Sequence, residues 1–307
     1  MNSEYIDDLL QFPAPYTFDG LFRQFYTSER SPAFIFTTEN YKHFEDMDVI
    51  GKDILTAAAG SGDNVLIWRR NGAKSVDQCD ISLIPHCVTE AKFKSLQMLD
   101  RKQFKKAWNI GKGLYKGGFD KDLLAPVLEQ TSPGTQRLFA HDKTDEIIWR
   151  TDKYRVEELP YLKNDKIYNE FKQYAADTPI FTWDDICDLA FTLDKKYDII
   201  HLSNIFSDEV LCPQSIPFIR NLLTKLNPGG ELIFYFYAPN FEEKEDIDLF
   251  FGAFREYANC EYTMTRYTPH KTQRMSGGMS ITSPGKKTVY LVPRKRQYDI
   301  VIKLRNR

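Results

Sequence analysis

A short apolar strand running into a string of small residues, and then directly into a helix, restricts this chain's folding options more than any other feature. Residues 53–59 read DILTAAA, residues 60–64 GSGDN, and residues 65–73 VLIWRRNGA, a helical stretch ending near Gly72. Residues 74–79, KSVDQC, predict a second strand that stops at Asp80. Residues 84–108 carry the apolar period of one long helix. A strand, glycine loop, helix, strand, acid and helix in this order open a doubly wound α/β sheet.

The remaining chain is read around that opening. Residues 1–48 predict an N-terminal helical lead-in, with Thr38 as cap of a helix starting at Glu39. Residues 49–307 form the α/β domain. Residues 109–178 interrupt its rhythm with a Gly- and Lys-rich segment and further helices, read as an insertion that caps a ligand crevice. The alternation resumes with strands at 178–183 and 195–203, a helix at 213–226, a turn at Asn227-Pro228-Gly229-Gly230, and a strand at 231–238. An acidic helix at 241–258 and closing strands at 260–268 and 286–295 follow, and residues 297–307 add an edge strand.

Composition narrows the function classes. The 41 Lys+Arg against 43 Asp+Glu give a net charge of −2 over 307 residues, which excludes nucleic-acid binding through bulk charge. The basic stretches at 92–106 and 292–307 are read as a solvated helix face and an edge strand, so nucleic acid is not an expected partner. No apolar run is long enough for a membrane span, and the acidic start does not resemble a secretory signal. Five scattered cysteines without CxxC suit reduced thiols in a cytoplasmic protein. No HExxH occurs, and no metal is expected.

The candidate ligand site is built from the loop and the acid. Glycines at Gly60 and Gly62 let the backbone approach a ligand, with Ala59, Ser61, Asp63 and Asn64 beside them. Asp80, followed by Ile81, offers two acceptor oxygens to paired ribose hydroxyls. A dinucleotide site wants a third glycine, yet Gly62 is followed by Asp63-Asn64-Val65. A carboxylate at Asp63 would repel a pyrophosphate and suit a cationic ligand such as S-adenosylmethionine. Asp185 and Ile186, just after a strand, are candidates for the adenine edge; Asp184 serves equally well as a helix cap. Ser203 and Asn204 end a strand at the carboxyl edge and are candidates for the amino-acid moiety or the acceptor. His201 is expected to be packed, and no catalytic base is named.

With these residues in place, ILTAAAGSGDN, QCDISLIPHCVTEAKFKSLQML, YDIIHLSNIF and LLTKLNPGGELIFYF resemble the class I S-adenosylmethionine-dependent methyltransferases. Within them the chain is most similar to the subgroup around the betaine-lipid synthase, which transfers a 3-amino-3-carboxypropyl group. The resemblance covers residues 33–240. It implies a Rossmann-like methyltransferase fold: a doubly wound, mostly parallel seven-stranded sheet with a helical insertion and a C-terminal antiparallel hairpin. It also implies S-adenosylmethionine as cofactor and a small-molecule acceptor. Methyl transfer is ranked first; aminocarboxypropyl transfer and a non-catalytic binding module are the alternatives. The chain departs from the family at the acid early in the glycine motif, where Thr56 or Ala58 stands.

Overall fold

A computed structural model describes residues 35–37, 39–58, 60–80, 82–110, 119–140, 156, 158–203, 205, 215–236, 260–267 and 299–306. The strands are β1 (Asp53–Ala57), β2 (Ser75–Asp80), β3 (Phe181–Trp183), β4 (Tyr197–Ser203), β5 (Leu226–Phe236), β6 (Cys260–Tyr267) and β7 (Asp299–Asn306). The helices are α1 (Tyr41–Glu45), α2 (Asp63–Arg70), α3 (Ile84–Met98), α4 (Arg101–Ala107), α5 (Lys121–Leu128), α6 (Pro133–Ala140), α7 (Asp165–Phe171), α8 (Ile186–Thr192) and α9 (Ser215–Thr224).

The sheet order is β3-β2-β1-β4-β5-β7-β6. Strands β1 to β5 pair in parallel, while β7 is antiparallel to both β5 and β6. The chain winds outward from β1 through β2 to β3, then returns to the other side of β1 as β4. This reversal is the topological switch point of a doubly wound sheet, where a crevice opens at the carboxyl ends of the strands.

Alternation along the strands sends two sets of side chains to opposite faces. Ile54, Val76, Ile199, Ile233, Tyr235 and Val301 join one core with residues of α1 to α7. Leu55, Ala57, Ile200, Leu202, Leu232 and Ile302 join the other with α8 and α9. Central strands buried on both faces need near-continuous apolar runs, and DIVIKL in β7 is one.

Several expectations are corrected. The stretch 84–108 is two helices, α3 and α4. Asp100 breaks them apart with a capping box, accepting from the Gln103 amide while the Gln103 side chain accepts from its own. The cap of α1 is Asn40, whose side chain accepts from the Lys42 amide; Thr38 lies outside the described residues. The tail strand β7 is interior and β6 takes the edge. Residues 227–230 fall within β5 rather than forming a separate turn, and a register shift opposite Tyr197 and Ile199 absorbs them. The strand expected at 286–295 and the helix at 241–258 lie outside the described residues.

One polar group sits in the first core. His201 is fully buried on β4 and opposite Thr56 on β1. Its ring meets Trp68 edge-on at 5.3 Å and stacks on His43 at 5.4 Å. Asn64 Nδ2 donates to Thr56 Oγ1 at 3.1 Å, and the same hydroxyl lies 3.4 Å from His201 Nδ1. His201 Nε2 lies 3.3 Å from His43 Nε2. Burial, with Lys303 adding a smaller push, lowers the His201 pKa to about 3. Burial and His201 itself lower His43 well below the ordinary histidine range. Glu39 Oε2, 3.9 Å from His201 Nε2, is the carboxylate facing the pair.

The linkage sign follows directly. Between about pH 6.5 and about 3 the unfolded chain binds protons that the folded His201 refuses, so stability falls as pH falls through that window. His201→Leu is expected to flatten this acid slope by up to about 1.4 kcal/mol per pH unit. Chemical denaturation of both proteins at pH 6.5, 5.5 and 4.5 measures it; parallel slopes would show that His201 does not titrate this way.

Candidate functional site

β1 ends at Ala57, beside Cys79 of β2 on one flank and Leu202 of β4 on the other. One residue further, Asp80 and Ser203 close those flanking strands. With strands about 4.8 Å apart, the loop after β1 lies between Asp80 and Ser203 at the switch point. The predicted loop and ribose carboxylate are therefore neighbours.

The loop turns through left-handed conformations: φ is 53° at Ala58, 59° at Gly60 and 75° at Gly62. Its two glycines serve different ends. A Cβ on Gly62 would lie 2.6 Å from Thr89 Cγ2, so Gly62 lets the loop press against α3. Among the described residues a Cβ on Gly60 would meet only the Ala58 carbonyl oxygen, at 3.9 Å. Ala58 holds a conformation that L-residues adopt at a cost of about 1–2 kcal/mol.

Asp63, at the first position of α2, is fully buried and surrounded by protein donors. Lys92 Nζ donates to its Oδ1 at 3.0 Å and to the Ser61 carbonyl at 2.9 Å. The Tyr161 hydroxyl donates to Oδ1 at 2.6 Å. The Ser61 hydroxyl and the Thr37 amide donate to Oδ2 at 2.7 and 2.6 Å. Both ends of the Asp63–Lys92 pair are wholly excluded from water. Burial pulls the Lys92 pKa down to about 8, with Asp63 opposing the shift. Lys92 also sits 4.3 Å from the centre of the Phe36 ring. Burial, then Asp63, holds Tyr161 protonated far above the ordinary tyrosine range, so it acts as a donor.

Asp63, expected to face the positive end of a ligand, is wholly buried and paired with Lys92 inside the protein. The basic stretch 92–106 is not wholly a solvated face, because Lys92 is buried in the core side of α3. Asn64 also turns inward, to Thr56. Lys92, Tyr161 and Thr37 were missed. Only Lys92 left a trace in the sequence: it lies four residues after Val88 and four before Leu96, on the apolar stripe of α3.

The acidic side of the crevice is β2 and β3. Asp80 Oδ1 accepts from the Ser82 amide at 2.9 Å, which fixes the carboxylate at the strand end. The Asp184 amide donates to the Asp80 carbonyl at 3.2 Å, drawing the end of β3 alongside. Asp185 caps α8, accepting from the Cys187 amide at 2.9 Å, and Ile186 is packed in the second core. Buried Cys79 experiences Asp80, Asp184 and Asp185 together; burial first and then these carboxylates push its thiol pKa up. Ser203 is half-buried at the end of β4. Ala59, Ile81 and Asn204 lie outside the described residues. Among the described residues no group of His, Cys, Asp and Glu is arranged to hold a metal, and no helix is long and apolar enough to cross a membrane.

The insertion's described helices α5 to α7 pack with α3 and α4 in the first core. Its link to the glycine loop is Tyr161, in a short 3₁₀ turn at Pro160–Leu162.

No family model and no curated protein matches the chain, so nothing in these comparisons favours the betaine-lipid synthase subgroup. Solved structures with partial likeness include proteins described as methyltransferases. One is a Streptococcus mutans protein described as S-adenosylmethionine-dependent, at 11% identity and TM-score 0.41, covering 85% of this chain and 46% of its own length. The chain thus spans less than half of that relative. Another is the N-methyltransferase NodS from Bradyrhizobium japonicum in complex with S-adenosyl-L-homocysteine, at 10% identity and TM-score 0.39, covering 100% and 99%. An rRNA methylase from Streptococcus thermophilus is 10% identical, with TM-score 0.36, covering 87% and 93%.

Removing one partner of a buried ion pair leaves an uncompensated charge and costs about 3–5 kcal/mol. Lys92→Met is expected to lose that much in urea unfolding. Adding Asp63→Asn to it is expected to restore at least about 1 kcal/mol, because the stranded charge is then gone. Additive losses would show that the pair is not coupled.

Proposed function

We propose that the chain is an S-adenosylmethionine-dependent transferase, in first rank a methyltransferase acting on a small molecule. One observation carries this reading. The glycine loop ends β1 at the switch point, while the neighbouring strand delivers Asp80 to the same edge. Gly60 is where a Cβ would intrude on an approaching ligand, and Asp80 is suited to two ribose hydroxyls.

The choice against a dinucleotide rests on two features of this edge. Phosphates bind at exposed helix starts, yet the start of α2 is occupied by the Asp63 carboxylate and its donors. Asp80, Asp184 and Asp185 line the β2 and β3 side, a field that disfavours phosphate and tolerates a neutral ribose and a sulfonium. S-adenosylmethionine supplies an activated carbon next to its sulfonium. The protein's part is to hold the adenosine half along the strand ends and align the acceptor in a site shielded from water. Gly60 and Ser61 would contact the cofactor through backbone, Asp80 the ribose, Asp185 and Ile186 the adenine side, and Ser203 with Asn204 the amino-acid end or acceptor. Ala59 and Ile81, their neighbours in the sequence, are included in the proposed site.

Calorimetry with S-adenosylhomocysteine tests the reading, with binding by the wild type as the expected result. Asp80→Ala is expected to weaken affinity at least tenfold, about 1.4 kcal/mol, with little change in thermal stability. A folded wild type that binds neither S-adenosylhomocysteine nor S-adenosylmethionine would overturn it. Product analysis then identifies the transferred group: S-adenosylhomocysteine for methyl transfer, methylthioadenosine for aminocarboxypropyl transfer.

In the same assay Gly60→Ala and Gly62→Ala should separate. Gly62→Ala drives a Cβ into Thr89 and is expected to lose more stability. Gly60→Ala is expected to keep more of the fold and to lose the ligand. Equal melting temperatures would contradict the assigned roles.

A further inference from the structure

We propose that Tyr161 is a positioning residue for the glycine loop, so that docking of the insertion and occupation of the nucleoside site are linked through the Asp63 carboxylate. The part concerning the ligand rests on the function proposed above; the part concerning the loop does not.

Groups distant in the sequence meet on one buried carboxylate. Asp63 belongs to the start of α2, Ser61 to the loop, Thr37 to the segment before α1, and Tyr161 to the insertion 98 residues further along the chain. Lys92, on α3, binds both Asp63 and the loop's Ser61 carbonyl. The Tyr161 ring is held independently of the loop. It stands edge-on to Phe104 of α4 at 6.1 Å and tilted against Phe171 of α7 at 5.6 Å. Its hydroxyl is therefore aimed by rings of α4 and α7, away from the loop, and its partner is the residue that follows Gly62.

The consequence is a reciprocal coupling. Tyr161 satisfies one acceptor site of a carboxylate that cannot reach water. Without it, Asp63 lacks a donor and shares Lys92 differently, which releases the Ser61 carbonyl that Lys92 also fixes. A ligand seated on the loop favours the ordered arrangement and hence a docked Tyr161. By linkage, a docked insertion favours the ligand by the same factor.

Hydrogen exchange and calorimetry on full-length wild type and Tyr161→Phe test this. The Phe variant keeps the ring and removes the donor. Without ligand, amides of residues 60–66 are expected to exchange about tenfold faster in Tyr161→Phe. Unchanged exchange in a folded variant overturns the proposal, whatever the ligand. With S-adenosylhomocysteine, wild-type amides at 158–163 are expected to become more protected, and Tyr161→Phe is expected to bind roughly five- to tenfold more weakly. Wild-type binding that leaves 158–163 unaffected overturns the coupling, and this needs no variant, so misfolding of Tyr161→Phe does not remove the test. A loop that loosens in the variant while the wild type binds no S-adenosylhomocysteine upholds Tyr161 as the loop's support and overturns the proposed function alone.

Discussion

The ion pair between Asp63 and Lys92 governs how the carboxyl edge of the sheet is built. Two opposite charges removed from water are tolerated only when they meet each other and when their remaining hydrogen-bonding capacity is filled. Here that demand recruits Ser61, Thr37 and Tyr161. The pair therefore does more than join α2 to α3. It dictates where the chain before α1 must pass, which carbonyl of the loop points inward, and where the insertion must touch the parallel sheet. Apolar side chains of the same volume would fill the space without imposing any of these directions. The orientation of the loop follows from hydrogen-bond geometry, while its closeness to α3 follows from the missing Cβ of Gly62.

Part of the parallel half was legible in the sequence, because apolar residues mark β1, β4 and the second half of β5, and β2 is bracketed by a helix ending near Gly72 and a helix starting after Asp80. The register puts Asp80 one residue past the partner of Ala57. Other features were hidden for identifiable reasons. The break between α3 and α4 depends on the reciprocal bonds of Asp100 and Gln103, which outweigh an apolar period continuing across it. The interior place of β7 depends on pairing with both β5 and β6, contacts distant in sequence. Asp63 looked like a ligand for a cation because one strand of text shows its charge but not Lys92, 29 residues away, aimed at it. Tyr161 carried no local signal: its role arises only when the insertion folds back.

Next to the ionic cluster lies a second polar system, Asn64, Thr56, His201 and His43, which is uncharged. Thr56 of β1 lies beside His201 of β4. A carboxylate at that point would face a buried histidine and favour its protonation, adding a further ion pair under the loop. Threonine instead accepts from Asn64 and stands 3.4 Å from His201 Nδ1, while burial in a core of Phe44, Trp68 and Tyr235 disfavours the charged form of both histidines. The two networks share α2: Asp63 serves one and Asn64, the next residue, serves the other.

The electrostatics of the crevice follow from that division. Directly beneath the loop, the Asp63–Lys92 pair is internally neutral. The field at this edge comes from the side, from Asp80 at the end of β2 and Asp184 and Asp185 after β3, all close enough to act on Cys79. A ligand lying along these strand ends with its sugar at Asp80 therefore places hydroxyls and an amine beside carboxylates, where they can donate. A phosphate in the same place would face those carboxylates and find the start of α2 already taken by Asp63. Under the proposed function the same carboxylates would accept from a nucleoside and disfavour its phosphorylated forms, while Asp63 is balanced within the protein by Lys92.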